Sequence, residues 1–589
     1  MINEIEFKRT SNIFINAGLV ALNQYLKECQ QDKIFDYDYS FTLDKDSLRV
    51  ESDKLFTLLE DVYYFMGKEV YDTVTEKQYD NLKLRKDCNA FYDVSNDRFE
   101  YFPRKNTYGL THLITNNKSR NTLLEENQTK FENLPSEIKS KFTNFQEDNN
   151  LKFGSIVYLN EEYTCITRLE KPINDYFIDG LQYCYMTGQG YKKLVSNANI
   201  SPFIKQQGSK CFNSSLNKGD VKISWSSMYL CRFSPMLCLY SYNNKLRETI
   251  NCYFFDSTNL TNLNDLYEKN RSIYKDSILK KQTEYLSNFK IHSFFNREEK
   301  LTEPRDFTGK NETLFALIYT IYKQFLHEKG YEEIAEVNDL FDLGFDKIPI
   351  SLISFKADSF SSTLRPNAFE YYNNFKYAIQ LIIYLEKEGV KFSQLLSSLK
   401  FQKNSERNSG NKYQLERKAR EKILTQVLNG KSIVKELSIL FYHCFTYLLK
   451  SDSVGFKNYE QLYLFTSKYE LKINKKMTQE MQEKAFKLGT SIGMAIINFD
   501  NPKNENDKKA NAKNGRKYII DLNKSRTLIH FNDAIIRIQN KYQIMVSGEL
   551  FRENLNEENF ELVKQFAIIG ALNKINEAIK PYNSTPNEK

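Results

Sequence analysis

Several features are scarce in this sequence, and each scarcity excludes a class of protein. Its apolar runs all fall short of the roughly 20 residues that a membrane-spanning helix needs, so no membrane partner is expected. Residues 1–6 contain neither the basic region nor the apolar run of a signal peptide. The nine cysteines are scattered over 589 residues, whereas disulfide frameworks belong to short, cysteine-dense secreted domains. We therefore expect a soluble chain in the reducing cytoplasm.

Recognisable catalytic motifs are also missing. The sequence contains no Walker-type phosphate loop, no dinucleotide glycine fingerprint and no Gly-x-Ser-x-Gly elbow. Its five histidines stand far apart, and none belongs to a paired metal-binding motif. His443 and Cys444 are adjacent, but neighbouring positions on a helix point about 100° apart, so we interpret both as packed core residues.

Two sets of acidic residues suggest a metal site, and both lack a feature that such a site requires. Asp339, Asp342 and Asp346 precede a lysine in a pattern that resembles a metal-dependent nuclease centre, but no strand is predicted on which these groups would converge. Asp36 and Asp38 would project from one side of a strand, without a third ligand nearby. The sequence therefore predicts a protein that is not an enzyme.

Length and patterning predict an α+β protein, with a mixed helix/strand N-terminal part followed by an all-α C-terminal helical bundle. A chain of 589 residues is too long for one hydrophobic core, which favours two to four domains. Apolar periodicity predicts helices at residues 17–29, with Asn16 as the N-cap, and at 52–66. A hairpin is predicted at residues 91–102, and further strands at 155–159, 228–240 and 250–255.

Helical periodicity dominates after about residue 303. The predicted helices cover residues 313–326, 369–385, 413–428, 433–449, 477–497, 533–546 and 557–579. Two polar stretches, 403–412 and 500–517, have the composition of linkers or exposed loops. We therefore divide the chain into a mixed domain at 1–305, a helical intermediate region at 306–465 and a C-terminal helical bundle at 466–589.

A cysteine pattern in residues 183–242 resembles an eroded zinc site. A structural zinc site needs two close thiolate pairs. Here Thr187 stands three positions after Cys184, and Ser234 three positions after Cys231, and hydroxyl groups are poor zinc ligands. Four thiolates from this region could still gather around an ion, but packing as small apolar residues is favoured, and no cofactor is expected. The remnants of the pattern are Cys184, Cys211, Cys231 and Cys238.

Two stretches of the N-terminal part combine cations, amides and flexibility, as nucleic-acid-binding loops do. Asn and Arg pair with base edges and Lys suits phosphates, while Gly allows close backbone approach and Tyr stacks on bases. One stretch covers residues 115–121 and the other residues 188–193. The candidate motif-reading residues are Asn116, Asn117, Lys118, Arg120, Gln189, Tyr191, Lys192 and Lys193.

Further basic stretches lie in the C-terminal part. Residues 503–526 contain eight Lys or Arg against three acids, and residues 403–422 contain seven against three. The net charge of +8 is modest for this length, so the distribution of charge carries the argument. Each stretch alone is more typical of a solvated loop or helix face, but together they favour nucleic-acid binding. The candidates for binding a displaced strand are Lys508, Lys509, Lys513, Arg516, Lys517, Lys524 and Arg526.

The order of features along the chain resembles one family. Residues 10–22 read Thr-Ser-Asn-Ile-Phe-Ile-Asn-Ala-Gly-Leu-Val-Ala-Leu, in which Asn residues and an apolar pair precede Ala-Gly and a helix. The pairs at 184/187 and 231/234 follow, and residues 413–430, 489–495 and 532–570 form the helical end. This order resembles the CRISPR-associated large subunits of type I-B (and related I-A) interference complexes, in the group named for two Cys-x-x-Cys pairs. The missing thiols depart from that pattern and argue against zinc in this chain.

The resemblance implies a non-catalytic large subunit of a Cascade-type surveillance complex that serves antiviral defence. Such a subunit recognises the protospacer-adjacent motif, helps to form the R-loop, holds the displaced strand and presents the DNA to a separate helicase–nuclease. The implied partners are CRISPR guide RNA, target double-stranded DNA, the helicase–nuclease, and the backbone, repeat-end-binding and small subunits of Cascade. Relatives also make a separate small subunit from an internal start, for which Met477 and Met481 are the candidates here.

Two other interpretations stay open on the sequence. A metal-dependent nuclease whose carboxylates are too dispersed to recognise would cleave nucleic acid in the presence of a divalent ion. A helical scaffold that binds only proteins would show no salt-sensitive affinity for DNA.

Overall fold

The fold is that of a computed structural model. It describes residues 2–67, 88–93, 97–103, 129, 131–148, 157–158, 169–195, 199–201, 204–205, 222–243, 249–269, 289–292, 301–302, 309–328, 350–360, 363–399, 412–437, 439–440, 459–474, 477–546, 548, 550–551 and 555–579. The chain divides into two compact units, the first formed by Met1–Lys290 with Asn338–Phe375 and the second by Ile291–Val337 with Lys376–Lys589. The three-domain division at residues 305 and 465 stays a prediction.

Strands and helices are mixed along the first 290 residues. They are β1 (Glu4–Lys8), α1 (Ile13–Gln31), β2 (Ser40–Leu43), β3 (Ser47–Glu51), α2 (Leu55–Gly67), β4 (Cys88–Asp93), β5 (Arg98–Pro103), α3 (Ser136–Asp148), β6 (Val157–Tyr158), β7 (Gln182–Tyr183), β8 (Gly190–Tyr191), β9 (Asn199–Ser201), β10 (Ile204–Lys205), α4 (Trp225–Phe233), β11 (Leu239–Asn243), β12 (Thr249–Ser257) and α5 (Leu260–Lys269).

Helices dominate the remaining elements. They are β13 (Ile291–His292), β14 (Leu301–Thr302), α6 (Lys310–Glu328), β15 (Ile350–Phe360), β16 (Thr363–Tyr372), α7 (Phe375–Lys387), α8 (Phe392–Ser398), α9 (Lys412–Leu428), α10 (Tyr459–Ile473), α11 (Gln479–Ile497), α12 (Glu505–Lys524), α13 (Leu528–Tyr542) and α14 (Phe560–Ile579). Small, mainly antiparallel sheets in the N-terminal part and helices in the C-terminal part confirm the predicted α+β class.

Helix α1 begins four residues earlier than predicted. Its N-cap is Asn12, whose side chain accepts hydrogen bonds from the backbone N–H groups of Phe14 and Ile15. Asn16, the predicted N-cap, is buried inside the helix, and its amide donates to the carboxylate of Asp256 at 3.0 Å. The N-cap prediction was wrong because the side chain of Asn16 has a tertiary partner.

A close contact between α1 and α4 accounts for the Ala-Gly pair at residues 17–18. A Cβ added at Gly18 would collide with the carbonyl oxygen of Leu230, so glycine lets the two backbones approach. Beside this contact the rings of Tyr25 and Phe233 pack edge to face, with their centroids 5.8 Å apart. The hydroxyl of Tyr229 donates to the carbonyl of residue 59 at 2.9 Å and so joins α4 to α2.

The first unit contains three of the four predicted β structures, one of them in part, whereas the fourth is mostly helical. Of the strand predicted at 155–159, residues 157–158 form β6, and the rest lie outside the described residues. The strand predicted at 250–255 lies in β12, within an antiparallel sheet of order β11–β12–β15–β16. The hairpin predicted at 91–102 is confirmed by β4 and β5. Residues 228–233 belong to α4, and only residues 239–240 of that predicted strand lie in β11. The strand prediction was wrong because α4 is buried almost all round, which removes the periodicity of an amphipathic helix.

The second unit contains most of the predicted helices. Helices α6, α9, α11, α13 and α14 overlap the predictions at 313–326, 413–428, 477–497, 533–546 and 557–579. The prediction at 369–385 was wrong at its start, because residues 369–372 pair with β15 and the helix begins at Phe375. The linker predicted at 500–517 is helical from residue 505, whereas residues 403–411 lie outside the described residues.

Glycines allow α11 and α14 to pack closely in the C-terminal bundle. A Cβ at Gly489 would collide with the carbonyl oxygen of Ala567, and one at Gly570 with that of Phe486. Residues 562–572 of α14 are all buried, so this helix is surrounded by neighbouring elements for three turns. The bundle therefore has α14 at its centre.

A buried ion pair joins α6 to α9. Arg420 Nη2 and Glu312 Oε2 are 2.9 Å apart, and their side chains are 1% and 0% exposed. The carboxylate of Glu421 caps α6 from the same side, accepting hydrogen bonds from the N–H groups of Asn311 at 3.0 Å and Glu312 at 2.8 Å. A side chain of α9 thus caps the N-terminus of α6.

Candidate nucleic-acid interface

The basic stretch near the C-terminus forms helix α12. Asn504 caps this helix, since its side chain accepts a hydrogen bond from the N–H of Asp507 at 2.9 Å. Glu505 and Asp507 place negative charge in the first turn, where the helix dipole favours it. The buried face consists of Ala512, Gly515, Ile519 and Leu522. With so few apolar positions among many Lys and Asn residues, the helical period was too weak to recognise in the sequence.

Four lysines lie on the face of α12 opposite the buried one. Lys509, Lys513 and Lys517 are four residues apart and Lys524 follows, so at 3.6 residues per turn all four fall within a sector of about 80°. Lys513, Lys517 and Lys524 are exposed, and Lys509 is half-buried. Within the described part of the chain, Lys509 and Lys513 form no ion pair. We call these four residues the α12 basic stripe; it spans about 22 Å at 1.5 Å per residue.

The other three C-terminal candidates lie outside the stripe. Lys508 lies on the side of the buried face, about one turn before Ala512, and Arg516 lies at the edge of that face; both are half-buried. The Nε of Arg516 is buried and has no hydrogen-bond partner. Arg526 is exposed, two residues beyond the end of α12. The tertiary structure therefore brings together four of the seven predicted cations.

The N-terminal candidates at 188–193 belong to a small knuckle, which we define as residues 180–193 with strands β7 and β8. Lys192 Nζ forms an ion pair with Asp175 at 2.9 Å. The ammonium group of Lys193 lies 5.0 Å from the ring centroid of Tyr176. Both lysines are exposed, although each has an intramolecular partner. The remaining candidates lie outside the described residues: Asn116, Asn117, Lys118 and Arg120.

The knuckle also presents apolar groups that the sequence analysis did not single out. Leu181 is 90% exposed and Tyr183 is 68% exposed. Tyr191, a predicted stacking residue, is half-buried, and its hydroxyl donates to Gln189 Oε1 at 2.9 Å. The aromatic ring most accessible to a base in this segment is therefore that of Tyr183.

Cys184 lies within the knuckle, in a hydrogen-bonded group of hydroxyl residues. Its Sγ accepts a hydrogen bond from the backbone N–H of Ser224 at 3.2 Å and lies 3.7 Å from Ser227 Oγ. The hydroxyls of Ser224 and Ser227 are 2.8 Å apart. Burial raises the pKa of the Cys184 thiol, but hydrogen bonds from Thr187, Ser224 and Ser227 outweigh burial and leave the pKa below its ordinary value.

The side chains that approach Cys184 are thus Ser224 and Ser227, in place of the predicted pair at 231 and 234. Cys231 is buried in α4, where burial raises the pKa of its thiol. Cys238 is hydrogen-bonded to Cys252, and Cys211 lies outside the described residues. Among the residues that the structure describes, no group of three or more His, Cys, Asp or Glu side chains could hold a metal ion.

The structure describes one of the two acidic sets that the sequence analysis considered for catalysis. Asp36 and Asp38 precede β2 in a bend, and Tyr37 between them donates to Asp61 Oδ2 at 2.6 Å. The structure therefore places neither carboxylate in a strand. The other groups lie outside the described residues: Asp339, Asp342, Asp346, His443 and Cys444.

Comparisons with known proteins leave the family open. The chain matches no protein-family model and no curated protein. In the part of the chain that the structure describes, no helix is long and apolar enough to cross a membrane.

Proposed function

We propose that the chain is the non-catalytic large subunit of a CRISPR type I-B Cascade complex in the cytoplasm. It recognises the protospacer-adjacent motif, supports R-loop formation and helps to recruit a helicase–nuclease. Its partners are the guide RNA, target double-stranded DNA, the other Cascade subunits and the helicase–nuclease, and it uses no cofactor. The resemblance of residues 10–22 and of the helical C-terminal part to that family supports this proposal.

The α12 basic stripe is the observation that carries the proposal. Its lysines lie on one face of a helix that is anchored on the opposite face by buried aliphatic residues. A single strand laid along this face would bring several phosphates within reach of ammonium groups at once. Each phosphate contact releases counterions, so the affinity would depend on salt. Exchange of a DNA duplex for a guide–target heteroduplex is nearly balanced, and modest contacts of this kind can tip it.

Motif recognition is assigned to the N-terminal part. Gln189 and Lys192 stand at the surface of the knuckle, beside the exposed side chains of Leu181 and Tyr183. Amide and ammonium groups there suit base edges and phosphates, respectively. The other motif-reading candidates, predicted from the sequence, are Asn116, Lys118 and Arg120.

Co-expression with a CRISPR guide RNA and the partner subunits tests the proposal. We expect copurification in one ribonucleoprotein, which then binds duplex DNA only beside the correct flanking motif. The variant K509E/K513E/K517E should weaken binding evenly across sequences and lower the slope of log affinity against log salt by about 2. The matched control is K387E/K391E/K487E, which makes the same charge change at exposed lysines of the same unit, outside both basic stretches.

Each rival function predicts a different result in this experiment. Cleavage of DNA that requires a divalent ion would favour a nuclease. Stable assembly without any salt-sensitive DNA affinity would favour a protein-only scaffold. Failure to copurify with guide RNA would overturn the proposal, and unchanged binding by K509E/K513E/K517E would remove the α12 basic stripe from it.

An internal start is a further part of the proposal. Met477 lies two residues before α11, and Met481 lies in its first turn. A fragment that begins at either methionine would contain α11 to α14, including the Gly489 contact that joins the first and last of these helices. Mass spectrometry of the purified complex should detect this fragment, and its absence would contradict an internal start.

A further inference from the structure

A cleft in the second unit begins where the α12 basic stripe ends. Its volume is about 990 Å³, near the upper end of the roughly 300–1,000 Å³ typical of small-molecule sites. Residues 432–439, the end of α10, the α12–α13 junction and the start of α14 form its walls. Lys524 belongs both to the stripe and to the cleft, so the positive surface continues from one into the other.

Cations outnumber acids around this cleft. Lys564 is already used, since its Nζ donates to the carbonyl of Ser525 at 2.7 Å and pairs with Glu561 at 2.7 Å. Lys435 and Arg526 are exposed, and in the described part of the chain their side chains form neither ion pairs nor hydrogen bonds. The charged groups of the lining are Lys435, Lys524, Arg526, Lys564, Glu558 and Glu561. With four cations against two acids, the lining keeps a net positive charge.

Apolar side chains and amides line the same space. Val434, Ile439 and Leu562 supply the apolar surface, and Ile439 is 39% exposed. Asn474 and Asn523 supply the amides, and the side chain of Asn474 also hydrogen-bonds to the carboxylate of Glu470. A nucleotide needs this combination, because cations bind its phosphate, apolar groups contact the face of its base and amides reach the base edge.

We infer that this cleft binds a nucleotide, with Lys435 and Arg526 as ligands of its phosphate and Ile439 against its base. The source of the nucleotide rests on the proposed function: a strand that follows the α12 basic stripe reaches the cleft at Lys524. A free mononucleotide offers the same chemistry, and the experiment separates the two sources.

The test uses the full-length chain with two probes. One is a labelled oligothymidylate of about 15 nucleotides, near the site size of single-strand binding proteins, and the other is thymidine monophosphate as a competitor. The variant K435E/R526E should bind the oligonucleotide about tenfold more weakly, with a salt slope lower by about 1.4. The control K391E/K487E carries the same charge change at exposed positions outside the cleft and should bind like the wild type.

A second measurement does not depend on the variants folding. Oligothymidylate that contains 4-thiothymidine should cross-link on irradiation to peptides that include residues 432–440, 523–526 or 558–564 of the wild-type chain. Competition by thymidine monophosphate would show that the site takes free nucleotides, whereas cross-linking without competition would show that it takes a strand. Both results support the nucleotide site.

The inference and the proposed function fail in different ways. The nucleotide site is overturned if K435E/R526E binds like the wild type and the cross-links map elsewhere. If K509E/K513E/K517E loses binding in the same experiments, the proposed function stands. If the wild-type chain binds neither probe, the cleft and strand binding by the isolated chain fail together.

Discussion

The backbone N–H of Ser224 donates a hydrogen bond to Cys184 Sγ at 3.2 Å, across 40 residues of sequence. Ser224 is the N-cap of α4, and Ser227 follows at the spacing that separates Thr187 from Cys184. Each pair thus has the three-residue spacing of a zinc-ligand pair, one in a turn and one at a helix start. The separation of 3.7 Å between Cys184 Sγ and Ser227 Oγ is close to the roughly 3.8 Å between sulfurs of a tetrahedral site with Zn–S bonds of about 2.3 Å.

Introducing thiols at these positions should create a zinc site. The variant T187C/S224C/S227C places four cysteines where one thiol and three hydroxyls now stand, and we expect it to bind about one zinc ion per chain more than the wild type. Elemental analysis of the purified proteins measures the difference, and a chelator should lower the thermal unfolding midpoint of this variant alone. The control adds Cys184→Ala to the triple variant and should lose the extra zinc. Equal zinc content in the triple variant and the wild type would contradict the assignment of these four positions.

Glu470 should make the stability of the second unit depend on pH. Burial raises the pKa of this carboxyl, although hydrogen bonds from the N–H of Ile433 at 2.9 Å and the hydroxyl of Ser432 at 3.0 Å partly lower it. The folded state then binds the proton more tightly than the unfolded state. The protonated carboxyl therefore contributes its full stabilisation below the ordinary pKa of about 4.5, and this stabilisation is lost as the pH rises through the raised pKa.

The variant Glu470→Gln tests this dependence. It keeps the accepting oxygen but removes the charge, so its thermal unfolding midpoint should not show the decline of the wild type as the pH rises above about 4.5. At neutral pH the variant should be at least as stable as the wild type. Glu460→Gln, at an exposed position of the same helix, is the control and should follow the wild-type curve. Parallel curves for wild type and Glu470→Gln would show that this carboxyl does not titrate with folding.

The buried pair of Glu312 and Arg420 predicts a marked difference between single and double variants. Arg420→Ala leaves the carboxylate of Glu312 buried without this cation, which should lower the free energy of unfolding by about 3–5 kcal/mol. The double variant E312L/R420M should cost clearly less, since neither charge remains. Urea unfolding measures both, with Lys422→Ala on an exposed position of α9 as a near-neutral control. An equal loss in the single and double variants would mean that the charge pair is not the cause.

The close packing of α11 on α14 predicts the effect of a single methyl group. Gly489→Ala places a Cβ against the carbonyl oxygen of Ala567, and overpacking of this kind costs about 1–3 kcal/mol. Alanine is the better helix former by about 1 kcal/mol, so a stabilised variant would show that the helices are not this close. Ser491→Ala, at an exposed position of α11, is the control for the substitution itself. Thermal unfolding of the three proteins gives the comparison.

Local patterns of apolar residues make several elements predictable from the sequence alone. Helices α9 and α11 were predictable because their apolar residues recur at helical spacing, and the strand around residues 250–255 because it is a short run rich in apolar and aromatic residues, all of them buried. The α+β class follows from the same periodicities. The alternative interpretations of function persist at this level, because charge and composition alone do not say which cations lie together.

The tertiary structure decided the features that depend on distant partners. The local sequence predicts Asn16 as a helix cap, but its side-chain amide donates a hydrogen bond to Asp256 in the four-stranded sheet. The polar composition of α12 predicts a linker. Its four buried residues stabilise a helix only because neighbouring elements cover them. Cys184 has no partner nearby in sequence beyond Thr187, and folding brings Ser224 and Ser227 to it. The spacing of apolar residues along the chain specifies a helix or strand. A site depends on contacts between elements, because its residues come from distant segments that only the packed core holds together.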